Sequence, residues 1–353
     1  MKNNIIIISP FQLRIRRGVE SFTYYLSNSL AKNYNMQIII YTWASNSPID
    51  WGDWNKNIKI RKVPYIRYYQ SLIAKIFYWF WNKIDRPDKI ICNFLWHGET
   101  AVYKNNQDLL IMHNPISQIP FRYEFVKNFI NYNSLMIFDS LHSLEAFIAV
   151  DGKYTNCKMI HTGVSTEYFK PSLNKEKNER LKLICISEFE ERKGIQYLIK
   201  ALPNLIEKFP SLFLTIIGSG KLKNHYKELI SELSIDDYID IQTPVNDTKP
   251  YLLKSDIYFL LSDGEGFPLG LLEAMSCGIP PIVSDNPPFD EIVIEGVGAR
   301  VDREDSESIL QAVIKLKERK VREYLGKNAR TYVMEKYSWV NISKQYYDLI
   351  INK

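Results

Sequence analysis

Glu265 and Glu273 bracket the stretch most suited to chemistry, within Ser262-Asp-Gly-Glu-Gly-Phe-Pro-Leu-Gly-Leu-Leu-Glu-Ala-Met-Ser-Cys-Gly278. It opens as a glycine-rich loop and turns helical at Pro268, whose missing N–H is no loss at a first helical position. Leu269 to Met275 favours helix apart from Gly270, and Gly278 suits the end. A helix start offers unpaired N–H groups and a positive dipole end, a site for an anion such as a diphosphate. Leu269 to Glu273 is roughly 6 Å of helix rise, so the two acids could hold opposite ends of an extended ligand. The plain alternative is an ordinary helix entry with two solvated glutamates, because a glycine loop before a helix is a weak signal alone.

Arg192-Lys193-Gly194 adds two cations and a flexible turn between a strand and a helix. Cations placed where a departing diphosphate gathers charge are effective catalytic devices, although a solvated basic loop has the same composition. His97 and His113 each follow a short apolar run, Lys89 to Phe94 and Asp108 to Met112. Ligands of open α/β sheets gather outside the carboxyl ends of strands, so both histidines are candidates.

Two series of strands and helices must position these groups. Asn4 to Ser9 and Met36 to Tyr41 read as strands buried on both faces, with a helix over Val19 to Lys32 between them. Leu135 to Asp139 reads as a further strand, and Pro171 to Arg180 is polar and without period, a linker. Strand–helix alternation then restarts at Leu181. The expected organisation is a Rossmann-like domain over 1–170, a linker over 171–180, a second such domain over 181–336 and a last helical segment over 337–353.

The chain's 353 residues favour two domains over one, and its net charge of +5 is unevenly placed. Residues 1–170 carry eight excess positive charges and 171–353 three excess negative ones, which points the first half at an anionic partner. No nucleic-acid motif supports that class of partner. Over Tyr65 to Lys83, Leu72, Ile76 and Phe80 form an apolar stripe with Arg67, Lys75 and Trp79 around it. This segment reads either as a helix packed on the first sheet or as one lying on an anionic bilayer. Four scattered cysteines read as reduced thiols of a cytoplasmic protein, with peripheral attachment to the inner membrane face left open.

Glu265-Gly-Phe-Pro-Leu-Gly-Leu-Leu-Glu273, followed by Ala274-Met-Ser-Cys-Gly-Ile-Pro280, resembles the Glu-seven-residues-Glu signature of glycosyltransferase family 4. The resemblance implies a GT-B fold, with two doubly wound domains facing a cleft and a C-terminal helix crossing back to the first. It also implies a retaining hexosyltransferase that takes a nucleotide-sugar donor to a glycan or lipid-linked acceptor in cell-surface polysaccharide synthesis. Arg17-Gly18-Val19-Glu20 is similar to the family's Gly-Gly-Val-Glu turn, with phosphate approach resting on Gly18. Leu109-Leu-Ile-Met-His113 is similar to the strand whose terminal histidine sits beside the transferred sugar; His97 is assigned to the acceptor side.

By the same resemblance, Glu265 holds sugar hydroxyls, Glu273 the ribose, and N–H groups near Leu269 and Gly270 the phosphates, with Phe267 in the same set. Gly218 and Val245 fall near the base, and Lys193 matches the family lysine. The family arginine is replaced by Glu188, and Arg192 is expected to stand in for it. With no Asp-x-Asp motif, neither a metal nor a cofactor is expected. A dinucleotide oxidoreductase is set aside because residues 9–18 hold a single glycine. A catalytically inactive GT-B partner that binds nucleotide or glycan without transfer is the remaining alternative.

Overall fold

The isoleucines at 5–8 are β-branched and wholly buried, as a strand covered on both faces requires. The computed structural model describes residues 4–9, 12–13, 18–45, 48, 50–64, 70–93, 109–113, 135–150, 156–172 and 180–352. Its two compact units are Met1–Gly163 with Trp339–Lys353, and Val164–Ser338.

Among the described residues, the first unit carries β1 (Asn4–Ile8), β2 (Gln37–Trp43), β3 (Ile58–Val63), β4 (Lys89–Cys92), β5 (Leu109–Met112), β6 (Leu135–Phe138) and β7 (Cys157–Met159). They form one parallel sheet in the order β3-β2-β1-β4-β5-β6-β7. Strand alternation sends Ile5 and Ile7 into one apolar layer with Phe22 and Leu26 of the helix Gly18–Tyr34. Ile6 and Ile8 enter the opposite layer with Phe138 and Phe147. β3 is absent from the sequence reading: its Ile-Lys-Ile-Arg-Lys-Val is a charged edge strand, not a continuous apolar run.

The second unit carries β8 (Lys182–Ile186), β9 (Phe213–Ile217), β10 (Ile239–Gln242), β11 (Ile257–Leu260), β12 (Pro281–Ser284) and β13 (Ala299–Val301). Their order is β10-β9-β8-β11-β12-β13, again all parallel. Leu183 and Phe259 face one core, and Ile184, Tyr258 and Leu260 face the other with Leu271, Leu272 and Met275. The six-strand order repeats that of β1 to β6. Each sheet therefore reverses direction between its first and fourth strands, at β1/β4 and at β8/β11, and ligands of such sheets bind at that reversal.

The leading segment of the first unit runs to Gly163, against an expected boundary at residue 170. The Val164 N–H donates to Tyr337 O at 2.8 Å, and Phe169 O accepts from Ser276 Oγ at 2.6 Å and Arg330 Nη1 at 3.1 Å, which fastens this segment to the second core. The helix Trp339–Ile351 belongs to the first unit and buries Trp339, Ile342 and Tyr346 in the layer of Phe22. Among the described residues, no helix is long and apolar enough to cross a membrane.

Candidate active site

β8 and β11 lie side by side at the reversal of the second sheet, and the loops leaving them carry the charged residues. Gly194 ends a short 3-10 turn over Glu191–Lys193 with φ of 69°, a left-handed conformation that favours glycine. A Cβ there would fall 2.0 Å from Leu261 O, so glycine alone lets the two loops touch. The Asp263 N–H then donates to Arg192 O at 2.6 Å and ties them together. The result is a close pair, Lys193 Nζ to Glu265 Oε1 at 2.5 Å, with each side chain only 12% exposed. Ser262 Oγ donates to the same carboxylate oxygen at 2.7 Å.

Arg192 approaches the other oxygen, Nη1 to Glu265 Oε2 at 3.8 Å, while its Nε donates to Glu190 Oε2 at 3.1 Å. Arg192 Nη1 is buried and, among the described residues, makes no hydrogen bond. One carboxylate thus lies between two cations, and a donor beside it is unused. Such a set suits an incoming anion that can exchange partners with Glu265.

The helix Leu269–Ser276 begins beside this pair. Pro268 is its N-cap and not its first residue, and its carbonyl accepts from the Leu271 and Leu272 N–H groups at 3.1 and 3.3 Å. No side chain caps the start. At the far end Gly278, with φ of 76°, lets the Ile279 and Gly278 N–H groups close onto Ala274 O and Met275 O, a Schellman ending. Gly270 leaves room for Tyr258, since a Cβ would lie 2.8 Å from that hydroxyl. Burial, then the charges of Cys185, Glu273 and Glu265, hold the Tyr258 hydroxyl well above its ordinary range. Glu273 Oε2 accepts from Thr248 Oγ1 at 3.0 Å, which brings the loop after β10 to the helix; Val245 and Phe267 pack on the core behind it.

At the reversal of the first sheet, Asn93 follows β4, His113 follows β5 and Asp139 follows β6. His113 Nε2 lies 2.7 Å from Asn93 Oδ1, and His113 Nδ1 lies 3.4 Å from Asp139 Oδ2. Phe22 stands edge-on to the imidazole with ring centres 4.6 Å apart, and Trp339 and Tyr346 pack behind Phe22.

Residues 166–332 match the family model of glycosyl transferases group 1. Over these residues the chain is similar to the group 1 glycosyl transferases. Over 181 residues it is 34% identical to an uncharacterized glycosyltransferase of Methanocaldococcus jannaschii, covering 50% of this chain and 46% of that protein. Over 233 residues it is 28% identical to the UDP-Gal:alpha-D-GlcNAc-diphosphoundecaprenol alpha-1,3-galactosyltransferase of Escherichia coli, covering 60% of each. The chain spans about half the length of the curated relatives it matches. Two solved structures share its fold across almost the whole chain. Sucrose-phosphate synthase from Thermosynechococcus elongatus has a TM-score of 0.82 at 18% identity, covering 99% of this chain and 98% of that one. HepE of Anabaena, solved with UDP and glucose, has a TM-score of 0.78 at 17% identity, covering 99% of each. The GT-B fold class follows from this likeness and from the two doubly wound sheets.

Within the matched residues 166–332, Lys193, Arg192 and Glu265 converge, and Leu269, Gly270 and Glu273 belong to the adjoining helix. Gly218 has a structural reason for being glycine: a Cβ would lie 1.9 Å from Ser187 O, and its N–H donates to Gln242 O at 3.1 Å. Glu188 is exposed and forms no ion pair with Lys193, whereas Arg192 lies against Glu265. Ser262, Thr248, Asn93 and Asp139 escape sequence reasoning; their signal is position alone, just past a strand or before a helix. In the first unit Gly18 opens its helix and is exposed. Arg67, His97 and the Lys75 side chain lie outside the described residues. The helix expected over 65–83 is described over Gln70–Asp85: Phe77 and Trp81 pack on the sheet, while Ile76, Trp79, Phe80 and Ile84 are exposed. Lys83 Nζ lies 3.9 Å from the centre of the Trp79 ring.

Proposed function

We propose that this protein is a retaining, metal-independent hexosyltransferase that moves a sugar from a nucleoside-diphosphate sugar to a glycan or lipid-linked saccharide. The observation that carries this reading is the Lys193–Glu265 pair at the β8/β11 reversal, beside a helix start that no side chain caps. A diphosphate arriving there meets Lys193, the unused Arg192 Nη1 and the first N–H groups of the helix, all of which stabilise negative charge as the leaving group departs. Lys193 exchanges the carboxylate for phosphate, and Glu265 is released to accept hydrogen bonds from sugar hydroxyls. Glu273 and Thr248 receive the ribose. The bond from the anomeric carbon to the phosphate oxygen breaks as the acceptor oxygen attacks the same face, and the acceptor's proton passes to the leaving phosphate. No covalent nucleophile is invoked.

Acceptor recognition is assigned to the first unit, whose exposed Ile76, Trp79, Phe80 and Ile84 with Lys83 and Arg86 fit the headgroup region of an anionic bilayer. Sedimentation with phosphatidylglycerol vesicles but not phosphatidylcholine vesicles, lost on Trp79→Ser with Phe80→Ser, checks that assignment. For the reaction, the full chain is incubated with UDP-, GDP- and ADP-sugars and a panel of glycan acceptors in excess chelator. Acceptor mass gained by one hexose, with the donor's anomeric configuration kept, is the expected result. Nucleotide binding with no transfer to any acceptor would instead assign the chain to an inactive GT-B partner.

A further inference from the structure

In the first unit one imidazole is gripped from two sides. Asn93 is fully buried, and its amide group donates to Val19 O at 2.9 Å and to Thr23 Oγ1. Both amide hydrogens are therefore directed at the start of the helix Gly18–Tyr34, which leaves Oδ1 facing His113 Nε2 at 2.7 Å. An amide oxygen only accepts, so the hydrogen of this contact belongs to Nε2. On the other side Nδ1 faces Asp139 Oδ2 at 3.4 Å, a second acceptor, on a side chain only 3% exposed. The edge-on Phe22 ring restricts rotation of the imidazole.

The surroundings of Asp139 point the same way. Among the described residues its Oδ1 is buried without a hydrogen bond, and the imidazole stands beside Oδ2. Tyr346, from the C-terminal helix, keeps a buried hydroxyl without a hydrogen bond among the described residues, and burial first and the Asp139 charge second hold that hydroxyl well above its ordinary range.

We infer that Asn93 and Asp139 are positioning residues for His113, the amide fixing a hydrogen on Nε2 and the carboxylate holding Nδ1. Nε2, which carries that hydrogen, is then not free to take a proton from an acceptor hydroxyl, and Nδ1 is turned toward Asp139. The catalytic role expected of His113 becomes that of a fixed wall, oriented by two neighbours that the sequence reading did not single out. The orientation stands without the proposed transfer reaction; only its kinetic consequence rests on that reading.

The test is long-range 1H–15N correlation on the full chain labelled at histidine, with His113→Gln assigning one of the five histidines. Wild type is expected to show a hydrogen on His113 Nε2. Asn93→Ala, or Thr23→Val where the first variant does not fold, is expected to give mixed tautomer signals by releasing the amide. In transfer assays kcat is expected to fall about 10–100-fold with donor KM unchanged. His113 with its hydrogen on Nδ1 alone, or a pattern untouched by either variant, would overturn the assignment, as would a change confined to donor KM. Tautomers as expected in a chain that transfers no sugar would leave the assignment standing and remove the proposed function.

Discussion

The two sheets share a strand order yet use their reversal points in opposite ways. At β8/β11, two cations surround one carboxylate, Arg192 Nη1 lacks a hydrogen bond and the adjoining helix start is uncapped. At β1/β4 and the neighbouring β5 and β6, Asn93 and His113 already have partners on every polar side. On the proposed reading, the first arrangement exchanges partners with an anion, and the second holds one ring still. A common scaffold thus supplies a place for charge in one unit and a rigid wall in the other; the difference lies in a few residues just past the strands.

The largest test of that contrast is Lys193→Ala. Transfer is expected to fall about 10²–10³-fold in kcat. Stability is also expected to drop, because Glu265 loses its main cation in a largely buried setting; breaking such a pair costs about 3–5 kcal/mol. Steady-state kinetics and urea unfolding report the two effects, and a variant losing neither would erase the distinction between the clusters. Arg192→Ala sharpens it further. Its guanidinium is about one-third exposed, so the unfolding midpoint should hold while kcat/KM falls about tenfold. Unchanged kinetics would mean that Arg192 does not replace the arginine displaced by Glu188.

The smallest expected effect concerns the cores behind the sites. Burial pushes the Cys185 thiol up to about 12, with Lys193 partly opposing, and pushes Cys277 up to about 12 as well. A thiol whose folded value is raised adds stability below its unfolded value that is lost as pH climbs toward the folded one. Urea midpoints should therefore decline between about pH 9 and 12. Replacing both thiols with alanine should flatten that decline.

The motif around Glu265 and Glu273 was legible because it combines a helix start, a helix stop and two acids in one short run. Lys193 was legible as a charge in a loop, but its pairing with Glu265 depends on Gly194 fitting under Leu261 O, a contact between loops 67 residues apart in the chain. The buried strands β1, β2, β5 and β11 announced themselves as apolar runs. β3 did not, because a charged edge strand alternates and resembles a loop in composition. Gly218 was read toward a ligand, whereas its close neighbour is Ser187 O, and a glycine in sequence does not say which of the two it makes room for. Asn93 and Asp139 have no local pattern at all; only adjacent parallel strands bring them to His113.

Thermal unfolding of the full chain with UDP, GDP or ADP, compared with Lys193→Ala, addresses the central claim most directly. A ligand that binds the native state alone raises apparent stability by about 2.7 kcal/mol at one hundred times its Kd. At least one nucleotide should raise the melting temperature of the wild type, and the rise should vanish in the variant. Three nucleotides without effect, or a rise that survives loss of Lys193, would contradict the account.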